Sequence, residues 1–377
     1  MTLKRKILVG TLAVFVAACA AFAVAISYNA GCDASKLVPG GTPVMKAIVY
    51  RCYGPPSVLQ LEDVARPEPG DDQLLVRVHA AAANPLDWHY MRGEPYVMRL
   101  SSGLGRPNET QLGVDFAGTV EAVGRNVTRF KPGDAVFGSR TGAFAEYVVV
   151  REDRAVIHKP SNLGFEEAAA VPIAAVTALQ AVRDKGRVQA GQRVLVNGAS
   201  GGVGTYAVQI AKALGAEVTG VSSTRNLALV RSLGADHVID YTRENFTEGA
   251  QRYDVIIDNV GSHSLLAYRK VLEPNGIVVM VGSTSKGAWI GPLARPMSAL
   301  LLSPFVSQKF EMLLAEFNPA DMETLGQLLA SGQVRSVIDR RYALAEVPAA
   351  IAYLEEGRAR GKVVIQVLED QEAPPAQ

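Results

Sequence analysis

Cysteine is nearly missing from this chain: Cys19, Cys32 and Cys52 are the only three in 377 residues. Two lie in the leader, which leaves one for the folded part, so the sequence offers neither a disulfide framework nor a cysteine-based zinc site. Histidine is scarce as well. His79, His89, His158, His237 and His263 show no metal-ligand spacing, and each is expected at the surface or as a satisfied core residue. An excess of charge is also lacking. Thirty-eight Lys and Arg face 37 Asp and Glu, a net charge of +1, and nothing here suggests a nucleic-acid partner. Hydrophobic residues make up 48% and charged residues 20%, a balance that suits a well-packed core, and the length is enough for about two domains.

There is one long apolar run. Lys4-Arg5-Lys6 precedes Ile7–Ile26, which is apolar apart from Thr11, and no charge appears between Lys6 and Asp33. That length spans a bilayer, and the flanking cations belong on the cytoplasmic side. The run is longer than the usual signal-peptide core of about 7–15 residues, which favours an uncleaved anchor. A cleaved signal peptide with export is the alternative. A lipoprotein is a third reading, since Val16-Ala17-Ala18-Cys19 resembles a lipobox, although the apolar run continues past Cys19. Gly31–Pro43 reads as a linker.

Glycine is concentrated at one place. Val194-Leu195-Val196-Asn197 feeds Gly198-Ala199-Ser200-Gly201-Gly202-Val203-Gly204, and Thr205–Leu214 then reads as a helix. Strand, tight glycine turn and helix form a phosphate clamp. The glycines let backbone approach a pyrophosphate, and the helix N-terminus offers free N–H groups and a partial positive charge. Ala207, Val208, Ile210, Ala211 and Leu214 give the helix an apolar face, and a second strand, Glu217–Val221, follows at βαβ distance.

An acid is missing where one class of dinucleotide site needs it. A site for NAD holds the ribose 2′-OH with an Asp or Glu about 20 residues beyond the glycines. Here the chain reads Ser222-Ser223-Thr224-Arg225-Asn226, and the nearest acid, Glu217, opens the strand. Hydroxyls and a guanidinium suit a 2′-phosphate, so the cofactor expected is NADP(H). The plainer reading of Arg225 is a solvated residue at a helix start.

Before the glycine turn, short strands alternate with Gly/Pro turns: Met45–Tyr50, Leu74–Ala82, Thr119–Val123, Ala135–Phe137 and Ala145–Val150. That pattern argues for a β-rich, barrel-like domain. Phe165–Lys185 reads as a helix broken or kinked at Pro172. After the turn, strands and helices alternate through Ile277–Val281, as a parallel doubly wound sheet requires. Gly287–Phe305 is apolar, Phe310–Phe317 is an edge-strand candidate, Ala320–Ala330 and Val347–Leu354 are helical, and Lys362–Val367 is a closing strand.

Several spaced motifs bear a family likeness: Asn84-Pro85-Leu86-Asp87, Gly113-Val114-Asp115-Phe116-Ala117-Gly118, Phe130 to Gly138, Gly198 to Gly204, Leu233-Gly234-Ala235-Asp236 and Gly361-Lys362-Val363-Val364. From about Met45 to Val367 the chain resembles the medium-chain dehydrogenase/reductase superfamily, in its zinc-independent quinone-oxidoreductase-like branch. The resemblance implies an α/β fold: a Rossmann sheet inserted in a GroES-like β-rich catalytic domain, with the active site in the cleft. The expected layout is an anchor or signal segment at 1–30, a linker at 31–44 and the first part of the catalytic domain at 45–165. The nucleotide domain follows at 166–318, the catalytic return at 319–368 and a tail at 369–377. Zinc-dependent relatives carry a Cys where Asn84 stands and a His-Glu pair where Val114 and Asp115 stand, so no metal site is expected.

The resemblance also implies roles. Tyr241 matches a position near the adenosine end of the cofactor, or else packs at a strand end. With a nicotinamide supplying hydride, Asn84 is expected to donate to a developing oxyanion, and His89 or a water to provide the proton. Asp87 reads as a turn residue, and Tyr96 as a further donor or a wall. Three functions stay open: an NADPH-dependent reductase of quinones, enones or related carbonyls; a metal-independent NAD(P)-dependent alcohol dehydrogenase or aldehyde reductase; and a non-enzymatic NADPH-binding sensor or scaffold at a membrane. The partners expected are a small-molecule substrate, a membrane through the N-terminal segment and a possible homodimer.

Overall fold

A computed structural model describes residues 3–33, 38–283, 287–289 and 291–368; the expected tail at 369–377 lies outside the described residues. The β-branched and apolar runs read from the sequence form fifteen strands among those residues. β1 (Val44–Val49) and β2 (Gln60–Ala65) make an antiparallel ribbon. β3 (Gln73–Ala83), β4 (Asp115–Val123), β5 (Ala135–Ser139), β6 (Tyr147–Arg151) and β7 (Val156–His158) follow. The middle of the chain supplies β8 (Arg193–Asn197), β9 (Glu217–Ser222), β10 (His237–Asp240), β11 (Tyr253–Asp258), β12 (Leu272–Met280) and β13 (Lys309–Met312). β14 (Ile338–Ala343) and β15 (Lys362–Gln366) close the fold.

These strands sort into two main sheets. β8 to β13 form a parallel sheet in the order β10-β9-β8-β11-β12-β13, with the first strand of the set at the centre. This is doubly wound order, and the crevice at its switch point lies beyond the carboxyl ends of β8 and β11. The other sheet runs β14-β15-β3-β4-β5-β7, with β6 also on β3. β15 pairs antiparallel with β3, Val363 opposite Ala83, although the whole parallel sheet lies between them in sequence. The chain therefore leaves the β-rich body, builds the parallel sheet and returns.

Local chemistry explains most of the element ends. Pro172 opens the helix Pro172–Leu179 after a separate turn of helix, Phe165–Ala169. A proline at the first helical position has no intrahelical acceptor to lose, so it starts a helix rather than kinking one. The helix Gly202–Ala213 buries Ala207, Val208, Ile210 and Ala211 as its period predicts, but Leu214 lies past the helix end and is 38% exposed. The expected strand Phe310–Phe317 is shorter: β13 stops at Met312. The apolar segment beyond Gly287 contains a helix, Gly291–Leu302, with Pro296 inside it.

The leader is a helix, Leu3–Ser27, with Ile7, Leu12, Phe15 and Val24 more than half exposed. Val9–Ser27 is long and apolar enough to cross a membrane, a test that a signal sequence also passes. Its exit is not a free linker. Ala30 N–H donates to the Gly105 carbonyl at 2.9 Å, and Cys32 is disulfide-bonded to Cys52, with Cα atoms 4.6 Å apart. This corrects the reading of the cysteines as unable to pair: the chain doubles back after Ser27 and brings the leader cysteine to the end of β1.

Candidate active site

The glycine turn begins at the carboxyl end of β8, where the sheet order reverses. Gly198 has φ +77°, and a side chain there would collide with Val260 at 2.6 Å. A Cβ on Gly204 would lie 2.0 Å from the Gly198 carbonyl oxygen, so only glycine lets the helix start this close to the turn. Gly201 and Gly202 face more open space, with nearest neighbours at 3.5 and 3.4 Å. Ser200, Gly201, Gly202 and Val203 thus surround the N-terminus of Gly202–Ala213, whose first N–H groups have no intrahelical acceptors.

β9 ends beside it. Ser222 is 2% exposed and its Oγ has no hydrogen-bond partner. Asn226 is buried; its Nδ2 donates to Ser200 Oγ at 3.0 Å and to Ser223 Oγ at 3.3 Å, and its Oδ1 has no partner. Orphaned polar atoms beside a helix N-terminus are what a nucleotide ribose and phosphate would satisfy, so the residues present fit a dinucleotide. Arg225 is exposed and Nη2 donates to the Arg358 carbonyl at 3.0 Å. Tyr241 is 61% exposed, and its backbone N–H donates to the Ser222 carbonyl at 3.1 Å, so core packing does not account for its ring.

An acid that its place in the sequence does not mark also lies here. Asp240, at the end of β10, accepts from Thr224 Oγ1 at 2.5 Å through Oδ2, and from Thr242 Oγ1 at 2.7 Å and Thr242 N at 3.0 Å through Oδ1. Its charge fastens the turn from behind, and these hydrogen bonds, that to Thr224 first, hold its carboxyl below the usual range.

Across the crevice lies a buried polar cluster. Asn84 caps the helix Pro85–Arg92, and Asp87 closes the capping box by accepting from Asn84 N at 2.7 Å. Asn84 Nδ2 donates to the Ala82 carbonyl at 3.1 Å and to Asp115 Oδ2 at 2.9 Å. Both amide protons are used, so in this geometry Asn84 has none left for the oxyanion it was expected to stabilise. Lys362 Nζ donates to Asn84 Oδ1 and, at 3.2 Å, to Asp115 Oδ2; Lys362 is 3% exposed and Asp115 fully buried. Asp115 Oδ1 also accepts from Ile173 N at 3.0 Å. Burial pushes both carboxyls up, that of Asp87 to about 8, while Lys362 opposes the rise at Asp115.

Lys362 joins the two halves of the site. Its Cδ is the atom nearest a Cβ built on Gly202, and the neighbouring Gly361 N–H donates to the Ser200 carbonyl at 2.9 Å. Its sequence signal was the family motif Gly361-Lys362-Val363-Val364, which marks the position without showing its contacts to Asn84 and Asp115.

His89 follows on the same helix as Asn84. Its Nδ1 lies 2.6 Å from the Glu94 carbonyl oxygen, which can only accept, so Nδ1 carries the proton and Nε2 keeps a lone pair. Burial lowers its pKa, against the pull of Glu94, and the ring stacks on Trp88 at 3.6 Å. Neutral His89 is therefore an acceptor at Nε2, not the proton donor expected. Tyr96 meets Trp289 edge-on at 5.0 Å and lies under the Arg99 guanidinium at 4.6 Å. The other histidines are engaged elsewhere: His79 with Thr119, His158 with Asp134, His237 with Glu217, and His263 against Phe246. Among the described residues no three His, Cys, Asp or Glu side chains form a metal-holding group.

A glycine-turn dinucleotide cradle set against a GroES-like body defines a nicotinamide-dependent oxidoreductase of the medium-chain type. Residues 70–161 match the family model for an alcohol dehydrogenase GroES-like domain, and residues 233–365 match that for a zinc-binding dehydrogenase. The chain is 37% identical over 336 residues to 2-methylene-furan-3-one reductase of Solanum lycopersicum, covering 85% of this chain and 79% of that protein. It is 34% identical over 333 residues to the quinone oxidoreductase of Pseudomonas aeruginosa, covering 85% and 99%. The solved structure of the quinone oxidoreductase from Coxiella burnetii superposes with a TM-score of 0.76 at 34% identity, covering 86% of this chain and all of that one. The chain belongs to the medium-chain dehydrogenase/reductase superfamily, in its quinone-oxidoreductase-like branch.

Proposed function

We propose that the protein is an NADPH-dependent reductase of quinones, enones or related conjugated carbonyls, anchored to a membrane by its N-terminal helix. The carrying observation is the junction of Gly361 with Ser200, which sets the glycine cradle against the Lys362–Asn84–Asp115 cluster. When bound, the reduced nicotinamide supplies the hydride. Gly198 to Gly204 hold its pyrophosphate. Ser222, Ser223 and Arg225 take the 2′-phosphate, and Tyr241 covers the adenosine end. Lys362, paired to Asp115, fixes the amide of Asn84 and with it the helix that carries His89. Neutral His89 holds a water through Nε2, and the proton reaches the product oxygen from solvent. A conjugated acceptor suits this site because its charge is delocalised, and the fixed amide of Asn84 adds no donor.

Two further features support a reading of the location. Lys4-Arg5-Lys6 favour a cytoplasmic N-terminus. The Cys32–Cys52 disulfide favours an oxidising compartment for the catalytic body. Both support a reading in which the body faces the non-cytoplasmic side, where reduced cofactor has to be delivered. β13 is an edge strand of the parallel sheet with Met312 44% exposed, and Leu314 just past its end is 78% exposed, which favours a homodimer across that edge. The test of function is NADPH oxidation by the detergent-solubilised chain across quinones, enones, aldehydes and alcohols. Turnover confined to the conjugated carbonyls is expected; turnover of saturated aldehydes alone would make it an aldehyde reductase.

A further inference from the structure

Arg99 is a charged residue with 3% exposure, and its guanidinium joins two helix ends. Nη1 donates to the Tyr28 carbonyl at 2.9 Å and the Ser27 carbonyl at 3.2 Å, at the end of the apolar N-terminal helix. Nε donates to the Gly93 carbonyl at 2.8 Å and Nη2 to the Arg92 carbonyl at 3.2 Å, at the end of the helix that starts at Asn84. Each helix C-terminus presents unpaired carbonyls and partial negative charge, and one buried cation serves both. The span and the site helix therefore end at the same level. Pro85–Arg92 has 8 residues, a length of about 12 Å at ~1.5 Å per residue. The site thus lies within roughly that distance of the point where the span leaves the bilayer.

The surface at that level is largely apolar and aromatic, with the exposed Arg106–Asp33 ion pair at its edge. Leu104 shares a groove with Val24, Ala25 and Tyr28 of the span and its exit. Leu100 and Leu104 are 55% and 58% exposed, and Val97 is 42% exposed. Tyr28 is 62% and Trp289 45% exposed, and Arg99 lies over the rings of Tyr53 and Tyr96. Leu104 in a groove with the last turn of the span, and exposed Leu100, Tyr and Trp with a cation nearby, form the pattern of an interfacial belt. Arg99, Ala30–Gly105 and Cys32–Cys52 fix this surface to the span, so it cannot turn away from the lipid.

We propose that residues 96–104 rest on the bilayer and that the site draws its substrate from the lipid: a long-chain quinone or enone that partitions into the membrane. The substrate half rests on the reductase reading above. The test uses the full chain in phosphatidylcholine nanodiscs, where both membrane faces are accessible. A tryptophan introduced by Leu104→Trp should be quenched by lipids with brominated acyl chains, measured against the parent, and one introduced by Leu214→Trp should not. The variant Leu100→Glu/Leu104→Glu should lose at least about tenfold in kcat/KM for a long-chain quinone held in the disc. For a water-soluble short-chain quinone it should stay within about twofold, which also shows that it folds. An unquenched tryptophan at 104 overturns the membrane contact. Equal losses with both quinones overturn the lipid route. A change of oligomeric state in the double variant, without quenching at 104, would assign the patch to a second copy of the chain. If the parent reduces neither quinone, the reductase reading falls and the lipid route with it, while the quenching result still decides the contact.

Discussion

Lys362 is the residue on which the two halves of the site depend. Removing its charge leaves Asp115 buried without its cation, so Lys362→Met should destabilise the protein by about 3–5 kcal/mol. Pairing it with Asp115→Asn should recover much of that loss, because the uncompensated charge goes too. Denaturant unfolding of the two single variants and the double variant checks this, and purely additive losses would contradict it. Arg225 makes a different prediction. NADPH should bind at least about tenfold tighter than NADH, equivalent to about 1.4 kcal/mol. Arg225→Ala should shrink that ratio while leaving NADH affinity nearly unchanged; equal affinities in the unmodified protein would contradict the assignment. The two residues differ in how visible they are from sequence. Arg225 stands in a local turn whose chemistry reads off five consecutive residues. Lys362 acts on Asn84 from 278 residues away and Asn84 on Asp115 from 31, so the spent amide of Asn84 appears only once the sheets are paired.

At the scale of elements, the site helix carries its own pH signature. Burial, with the nearby Asp115 charge adding to it, raises the Asp87 carboxyl to about 8 from an ordinary 3.8. In that window the folded state holds a proton that the unfolded state has released. The contribution of Asp87 to stability is therefore full below about pH 4 and declines as pH rises toward 8. Denaturant midpoints taken from pH 5 to 8 should fall, and Asp87→Asn should fall less. An unchanged slope in the variant would contradict the raised carboxyl. The elements themselves were legible where periodicity is local, in the glycine turn and the apolar stripe of Gly202–Ala213, whereas Pro172 read as a break or kink in one helix and instead opens a second, Pro172–Leu179. β13 was overextended because apolar residues continue past Met312 after the pairing with β12 has ended. The shared helix cap by Arg99 was not legible, since in sequence an arginine beside exposed leucines has nothing to mark it as buried.

The whole molecule combines an N-terminal helix long and apolar enough to cross a membrane, a disulfide at its exit and a nucleotide site. If the body faces an oxidising compartment, only Cys19 reacts with an alkylating reagent in the unreduced, denatured chain, and Cys32 and Cys52 react after reduction. Mass spectrometry reads the difference, and three alkylated cysteines without reduction would argue for the cytoplasmic side. High-speed centrifugation should pellet the full-length chain with its N-terminus intact, and recovery of that chain in the supernatant would contradict the anchor. The central claim is hydride transfer from reduced nicotinamide to a conjugated carbonyl, and isotope transfer tests it most directly. The full chain is incubated with an enone and NADPH deuterated at the transferable C4 position, and the product is analysed by mass spectrometry. One deuterium per product, bound to carbon, is predicted; oxidation of the cofactor without deuterium in the product, or no reaction with any enone or quinone, would contradict it.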